Sequence, residues 1–190
     1  ALKRMRDEIA ADPRARRHFM KEARTVAALR HQSIVEIFSV VERGAALYLV
    51  FEFLPGQTLD VILENKGGRF SPTETLPLAR QIAEALDYAH SQGVVHQDLK
   101  PSNIVVAAGL AKVMDFGIAR RAQDTLSTMT RGEAVGTPAY MAPEQEQGIV
   151  TPKADLYSFG VCLYQLLSGH APFGRGDNIF SKAEKRFLPL

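Results

Sequence analysis

The residues best suited to chemistry lie in two clusters, His96-Gln97-Asp98-Leu99-Lys100-Pro101-Ser102-Asn103 and, seventeen positions after Asp98, Asp115-Phe116-Gly117. A carboxylate, an ammonium, a carboxamide and a second carboxylate, in this order, suit phosphoryl transfer. That chemistry asks a protein to orient a hydroxyl, hold a metal ion and neutralise phosphate charge. Asp98 is the candidate for accepting or orienting the proton of the attacking hydroxyl. Asn103 and Asp115 offer the hard oxygens that magnesium takes alongside water and substrate phosphates. Lys100 is the candidate cation beside the transferred group. Taken singly, Asp-Phe-Gly or His-x-Asp reads better as a turn before a strand; their joint order and spacing reverse that preference.

These motifs resemble the catalytic loop and metal-binding triplet of the eukaryotic-type serine/threonine protein kinases, the bacterial members above all. Ala1-Leu2-Lys3 is similar to the end of the family's Val-Ala-x-Lys strand, and Glu22 follows nineteen residues later inside a helical pattern. The resemblance implies a Lys3–Glu22 ion pair that anchors the ATP phosphates. Flanked by Lys21 and Arg24, Glu22 taken alone is a solvated helix charge. Gly136-Thr137-Pro138-Ala139-Tyr140-Met141-Ala142-Pro143-Glu144 resembles the end of the activation segment, with Thr137 on the substrate platform. In similar sequences the aspartate of Asp155-Leu156-Tyr157-Ser158-Phe159-Gly160 braces the catalytic loop, an architectural role. The resemblance also places Phe51 as gatekeeper behind adenine, the backbone of Glu52 and Leu54 at the adenine edge, and Ala1 and Val105 in the same nucleotide site. His96 titrates near neutrality and invites a general-base role; the resemblance implies instead that it packs beneath Phe116.

The implied activity is phosphorylation of serine or threonine hydroxyls on protein substrates, with ATP and Mg2+. Asp98-Leu99-Lys100-Pro101-Ser102-Asn103 and Thr137 both resemble the serine/threonine version more than the tyrosine version. Between Asp115 and Glu144 lie Thr125, Ser127, Thr128 and Thr130, where family members accept regulatory phosphate; Thr128 and Thr130 are the candidate phosphosites, and a second copy of the chain is the candidate partner for autophosphorylation. One departure is Gln97, where the family usually has an arginine that clamps a phosphorylated activation loop. A phosphothreonine there meets no charge at Gln97, so Arg14, Arg16, Arg17, Arg120 or Arg121 would have to substitute. The resemblance covers nearly all of the chain but only the middle of a kinase domain, without the glycine-rich loop and the C-terminal helices. The rival readings are a pseudokinase scaffold that binds partners without phosphotransfer, and a related fold acting on small molecules.

The elements that must position these residues are legible from periodicity and turn chemistry. Asp12-Pro13 reads as an N-cap and first-turn proline, followed by Phe19, Ala23, Val26, Ala27 and Leu29 at helical spacing, with Glu22 on the inner side. Ile34 to Val41 and Ala45 to Phe53, joined by Glu42-Arg43-Gly44, read as a hairpin. Pro55-Gly56 breaks the chain into a hinge before a helical region that starts near Thr58. Ser71-Pro72-Thr73-Glu74 is a capping box ahead of Leu76, Ala79, Ile82, Ala83, Leu86 and Ala89, ending near Gly93. Val94-Val95, Ile104 to Val106 and Lys112 to Met114 read as small strands that hold the catalytic loops. The fold expected is α+β and two-lobed like a protein kinase, with residues 1–53 a small β-rich lobe bearing one helix and 54–190 the hinge and a larger helical lobe.

Composition narrows the class. The chain has 190 residues, 46% hydrophobic and 23% charged, as ordinary globular domains have. With 23 basic and 21 acidic residues the net charge is +2, so no nucleic-acid partner is expected. The basic cluster Arg14, Arg16 and Arg17 reads as a solvated helix face. A single cysteine, Cys162, excludes an intrachain disulfide and suits a reducing, cytoplasmic setting. No apolar run approaches the roughly 20 residues that span a bilayer, and no signal peptide is visible, so a tether would lie outside this chain and place it at the cytoplasmic face.

Overall fold

Asp12 starts the first long helix as its sequence demands. In the computed structural model, which describes residues 1–5, 7–44, 46–117 and 137–173, its Oδ1 accepts from the backbone N–H of Arg14 at 2.9 Å and of Ala15 at 2.6 Å. Two donors that a helix terminus leaves unpaired are thereby satisfied. Helix α2 (Pro13–Ala27) buries Ala15, Phe19, Ala23 and Val26 in one stripe. A short helix α1 (Asp7–Ala11) precedes it; at five residues it is too brief for periodicity to reveal.

Strands β1 (Leu2–Arg4), β2 (Ile37–Arg43) and β3 (Ala46–Phe51) form an antiparallel sheet in the order β1-β3-β2. The expected hairpin is present, turning at Gly44 with a φ of 61°, a value glycine adopts without steric penalty. Leu47, Leu49 and Phe51 alternate inward along β3. Ile34 does not belong to the hairpin: it bridges in parallel to Val113, with Val35 N–H donating to Val113 O at 2.9 Å and Val113 N–H to Ser33 O at 2.8 Å. This segment joins the first sheet to the second.

The second sheet, β4-β5-β6, comprises β4 (Gln57–Thr58), β5 (Ile104–Ala107) and β6 (Leu110–Val113). Residues 52–56, between the sheets, carry neither helix nor strand. Glu52 fixes this crossing: both carboxylate oxygens accept from Lys112 Nζ, at 2.7 and 2.8 Å, and its N–H donates to Glu36 O. Gly56 is required by contact, because a Cβ there would lie 2.2 Å from Val106 O. Val94-Val95 forms no strand; Val94 is buried in an irregular segment after helix α4.

Helices α3 (Leu59–Asn65), α4 (Pro72–Ser91), α5 (Pro143–Glu146) and α6 (Pro152–Ser168) build the larger lobe. Ser71 and Glu74 close a reciprocal capping box on α4. Lys66, the backbone of Ser71 and its hydroxyl together hold the Glu74 carboxyl down at about 2, so the box persists well into acid. Phe19, Leu47, Leu59, Ile82, Leu86, Leu99, Ile104, Phe116 and Leu166 are fully buried, each contributing about 1.5–3 kcal/mol by leaving water. Cys162 is buried beside them, and burial pushes its thiol up. Thr125, Ser127, Thr128, Thr130, Arg120, Arg121 and residues 174–190 lie outside the described residues.

Candidate active site

The loop that leads into Asp98 hangs from one buried carboxylate. Asp155, near the start of α6 and 1% exposed, accepts from His96 N–H at 2.7 Å, from Gln97 N–H at 2.8 Å and from His90 Nε2–H at 2.7 Å. These bonds hold Gln97 in the left-handed region, φ 71°, a conformation that costs a non-glycine residue about 1–3 kcal/mol. The bracing role expected of Asp155 is what its contacts describe. His90 as its third partner was not foreseen, since nothing local links positions 90 and 155.

His96 has no access to a substrate. It is fully buried, its ring lies 4.7 Å from that of Phe116, and burial holds its pKa below the ordinary value despite the pull of Asp155. Asp98 N–H points at Nδ1 at 3.2 Å, so Nε2 carries the proton and donates to Met114 O at 2.9 Å. The ring therefore ties the catalytic loop to the strand leading into Asp115. Because its folded pKa is depressed, protonation favours the unfolded chain. Stability should fall as pH drops below about 6.5, where the unfolded histidine takes up its proton. Urea unfolding between about pH 7 and 5 should show that slope, and His96→Gln should flatten it.

Asp98 lies in a set of mutual contacts. Lys100 Nζ is 3.0 Å from its Oδ2, Thr137 Oγ1 donates to its Oδ1 at 3.3 Å, and Lys100 Nζ donates to Thr137 Oγ1 at 2.7 Å. Asn103 Nδ2 donates to Asp98 O at 2.8 Å and reaches Oδ2 at 3.3 Å. Asp98 remains partly open, with 28% of its side chain exposed. Thr137, expected on the substrate platform, thus bridges that platform to the catalytic loop.

Asn103 and Asp115 are brought to adjoining backbone by the bond from Met114 N–H to Asn103 O, 2.9 Å. Asp115 itself takes a φ of 63°, and Gly117 N–H donates to His96 O at 2.9 Å. A Cβ on Gly117 would approach His96 O to 3.0 Å, so the glycine keeps the triplet tight against the loop. Lys3 Nζ contacts Asp115 Oδ2 at 2.7 Å. This differs from the pair expected with Glu22: the described partner of Lys3 is Asp115. Glu22 is half-buried on the inner side of α2, between Phe19 and Val26. Asp115, whose backbone is left-handed, meets Lys3 across the cleft between β1 and the segment after β6.

Of the residues expected around adenine, Phe51 is buried, Leu54 is half-buried against the core, and Val105 pairs with Thr58 of β4 and Lys112 of β6. Ala1 O accepts from Phe51 N–H at 2.8 Å, which aligns β1 beside β3. The Glu52 carboxylate, foreseen only for its backbone, is spent on Lys112.

The platform is fastened below by Ser158 Oγ, which donates to Tyr140 O at 2.8 Å, and by Tyr140 OH, which donates to Gln165 Oε1. Residues 1–188 match the protein kinase domain family. The chain belongs to that family. Among curated relatives it is 40% identical over 180 residues to a probable serine/threonine-protein kinase, SCO3848, of Streptomyces coelicolor, covering 91% of this chain and 27% of that protein. It is 38% identical over 190 residues to the serine/threonine-protein kinase PknB of Mycobacterium tuberculosis, covering 96% of this chain and 30% of the relative. The chain therefore spans under a third of the length of these relatives. Among solved structures, the Mycobacterium tuberculosis PknI kinase domain superposes with a TM-score of 0.75 at 29% identity, over 92% of this chain and 64% of that one. The protein-kinase fold is thereby established, a small β-sheet lobe followed by a helical lobe.

Proposed function

We propose that the protein carrying this chain transfers the γ-phosphoryl group of ATP to serine and threonine hydroxyls of proteins. The observation that supports this most is the closed set Asp98, Lys100 and Thr137, which joins a half-open carboxylate and a cation to the substrate platform. Asp98 orients the acceptor hydroxyl and takes its proton as the new P–O bond forms. Lys100 lies where charge develops on the transferred group, and Lys3 neutralises the nucleotide phosphates. Fixed charges of this kind need no reorganisation during reaction and supply most of the acceleration.

Magnesium would be held by Asn103 and Asp115, whose oxygens are of the hard type it prefers, and would neutralise phosphate charge there. Magnesium held by two protein side chains is completed by water and substrate phosphates rather than by a protein cage. The residues a non-transferring scaffold would be free to lose, Lys3, Asp98, Asn103 and Asp115, are all present. Thr128 and Thr130 as regulatory acceptors, a second copy as partner in autophosphorylation, and a lobe boundary at residues 53–54 belong to the same reading. No helix among the described residues is long and apolar enough to cross a membrane; we place the chain in the cytoplasm or on the cytoplasmic face of a membrane, where ATP is available.

An acceptor panel tests this reading. The full-length protein is given labelled ATP and magnesium with serine, threonine and tyrosine peptides and with small-molecule alcohols. Label on serine and threonine is the expected result, and label on metabolites alone would overturn it. Lys3→Met should lower kcat/KM for ATP by about 10–100-fold, as expected for a lost charge-assisted contact worth roughly 1.5–3 kcal/mol, which steady-state kinetics will show.

A further inference from the structure

The peptide unit between Gln97 and Asp98 carries the catalytic carboxylate, and both of its polar groups are engaged. Its N–H, on Asp98, points at His96 Nδ1. Its carbonyl, on Gln97, accepts from Gln145 Nε2 at 2.5 Å. Gln145 is 2% exposed and lies on α5, directly after the Ala142-Pro143-Glu144 end of the substrate platform. Because the acceptor is a carbonyl, the amide must present its nitrogen, which leaves Oε1 buried without a hydrogen-bond partner among the described residues. A buried amide with one half unsatisfied is unfavourable, so the side chain is kept for the bond its other half makes.

The geometry points to Gln145 as a positioning residue for Asp98. A peptide rotates about the bonds on either side of it, and Gln97 sits at a φ of 71° that it would not hold unaided. Asp155 fixes the N–H on one side of Gln97, and Gln145 fixes the carbonyl on the other. Rotation of that carbonyl would swing the Asp98 Cα–Cβ direction away from Lys100 and Thr137. Gln145 therefore links the seating of the protein substrate to the aim of the carboxylate, two parts of the site 48 positions apart in sequence. It acts on the acceptor half of the reaction, through a hydrogen bond to the Gln97 carbonyl, and not through the Lys3–Asp115 pair. This role rests on the phosphotransfer proposed above.

The test compares Gln145→Met, which keeps length without the donor, and Gln145→Glu, which keeps shape, with the wild type in the full-length protein. Measurements are kcat, KM for ATP, KM for a serine peptide and the thermal midpoint. For Gln145→Met, kcat should fall about 10–100-fold, the range for a lost bond to a buried carbonyl, with KM for ATP within about twofold of wild type. A kcat within about twofold of wild type would overturn the role. So would a joint loss of kcat, ATP affinity and thermal midpoint in both variants, which would mark Gln145 as general packing. If Gln145→Met does not fold, Gln145→Glu at a pH above its carboxyl pKa gives the same reading, since a carboxylate cannot donate to the carbonyl. Transfer by neither wild type nor variants would overturn the function itself and this role with it; transfer by wild type with unaltered variants would overturn this role alone.

Discussion

Asp98→Asn is expected to lower phosphoryl transfer by about 10²- to 10⁴-fold, the range for removal of a positioned proton acceptor. Asparagine fills the same volume and one oxygen can still accept from Thr137 or Lys100. What disappears is the negative charge that attracts the hydroxyl proton and pairs with Lys100 at 3.0 Å. With its remaining oxygen turned to Lys100 and Asn103 Nδ2, the amide NH2 takes the Oδ1 place beside the Thr137 hydroxyl, so the contacts survive while the charge is lost. Nucleotide affinity should stay within about threefold of wild type, because Lys3, Asn103 and Asp115 are untouched. Initial rates and an ATP titration on the same preparation separate the two quantities, and near-normal transfer by the variant would remove Asp98 from its role.

Asp155→Ala should produce the largest loss of stability. The carboxylate is buried and accepts three hydrogen bonds, two from the backbone of His96 and Gln97 and one from His90. Alanine leaves those donors in the interior without an acceptor, and breaking such an arrangement costs about 3–5 kcal/mol. Against a total of roughly 5–15 kcal/mol for a domain, this is a substantial fraction. The thermal midpoint should fall by about 6–20 °C, scaling at 2–4 °C per kcal/mol for a chain of this size. The molecules that remain folded should also transfer phosphate slowly, since Gln97 is then free to leave its left-handed conformation and carry Asp98 with it. Asp155→Asn keeps one acceptor oxygen and should fall between the two. A midpoint within about 2 °C of wild type for Asp155→Ala would show that the loop holds itself without the brace.

How far these features could be read beforehand depends on how local their causes are. The Asp12 cap and the Ser71–Glu74 capping box were legible because donor and acceptor lie within three residues. The residue types of Asp98, Lys100, Asn103 and Asp115 were legible from the chemistry they suit, and their order and spacing from resemblance to a family. Asp155 and Thr137 could be placed only through resemblance to a family, and the structure supplies their contacts. Three features had no local signal. Gln145 bonds to a carbonyl 48 positions away, and a glutamine after Ala-Pro-Glu looks like any surface polar residue. Lys112 binding Glu52 spans 60 positions, so the carboxylate that fixes the crossing between the sheets was read only for its backbone. The contact of Lys3 with Asp115 spans 112 positions and rests on the left-handed backbone of Asp115, neither of which has a local sequence signal. Val94-Val95 illustrates the opposite error: in this β-prone pair Val94 is buried in the core and Val95 half-buried, and neither joins a sheet.

The most direct measurement is transfer of labelled γ-phosphate from magnesium-ATP to a generic serine/threonine protein substrate by the full-length protein, run beside a nucleotide-binding titration and with Asp98→Asn as the blank. Label on serine or threonine with the wild type, background label with the blank, and ATP bound by both is the expected result. ATP bound by the wild type without transfer to any protein hydroxyl would contradict the phosphotransfer reading and leave a kinase fold that binds without catalysing.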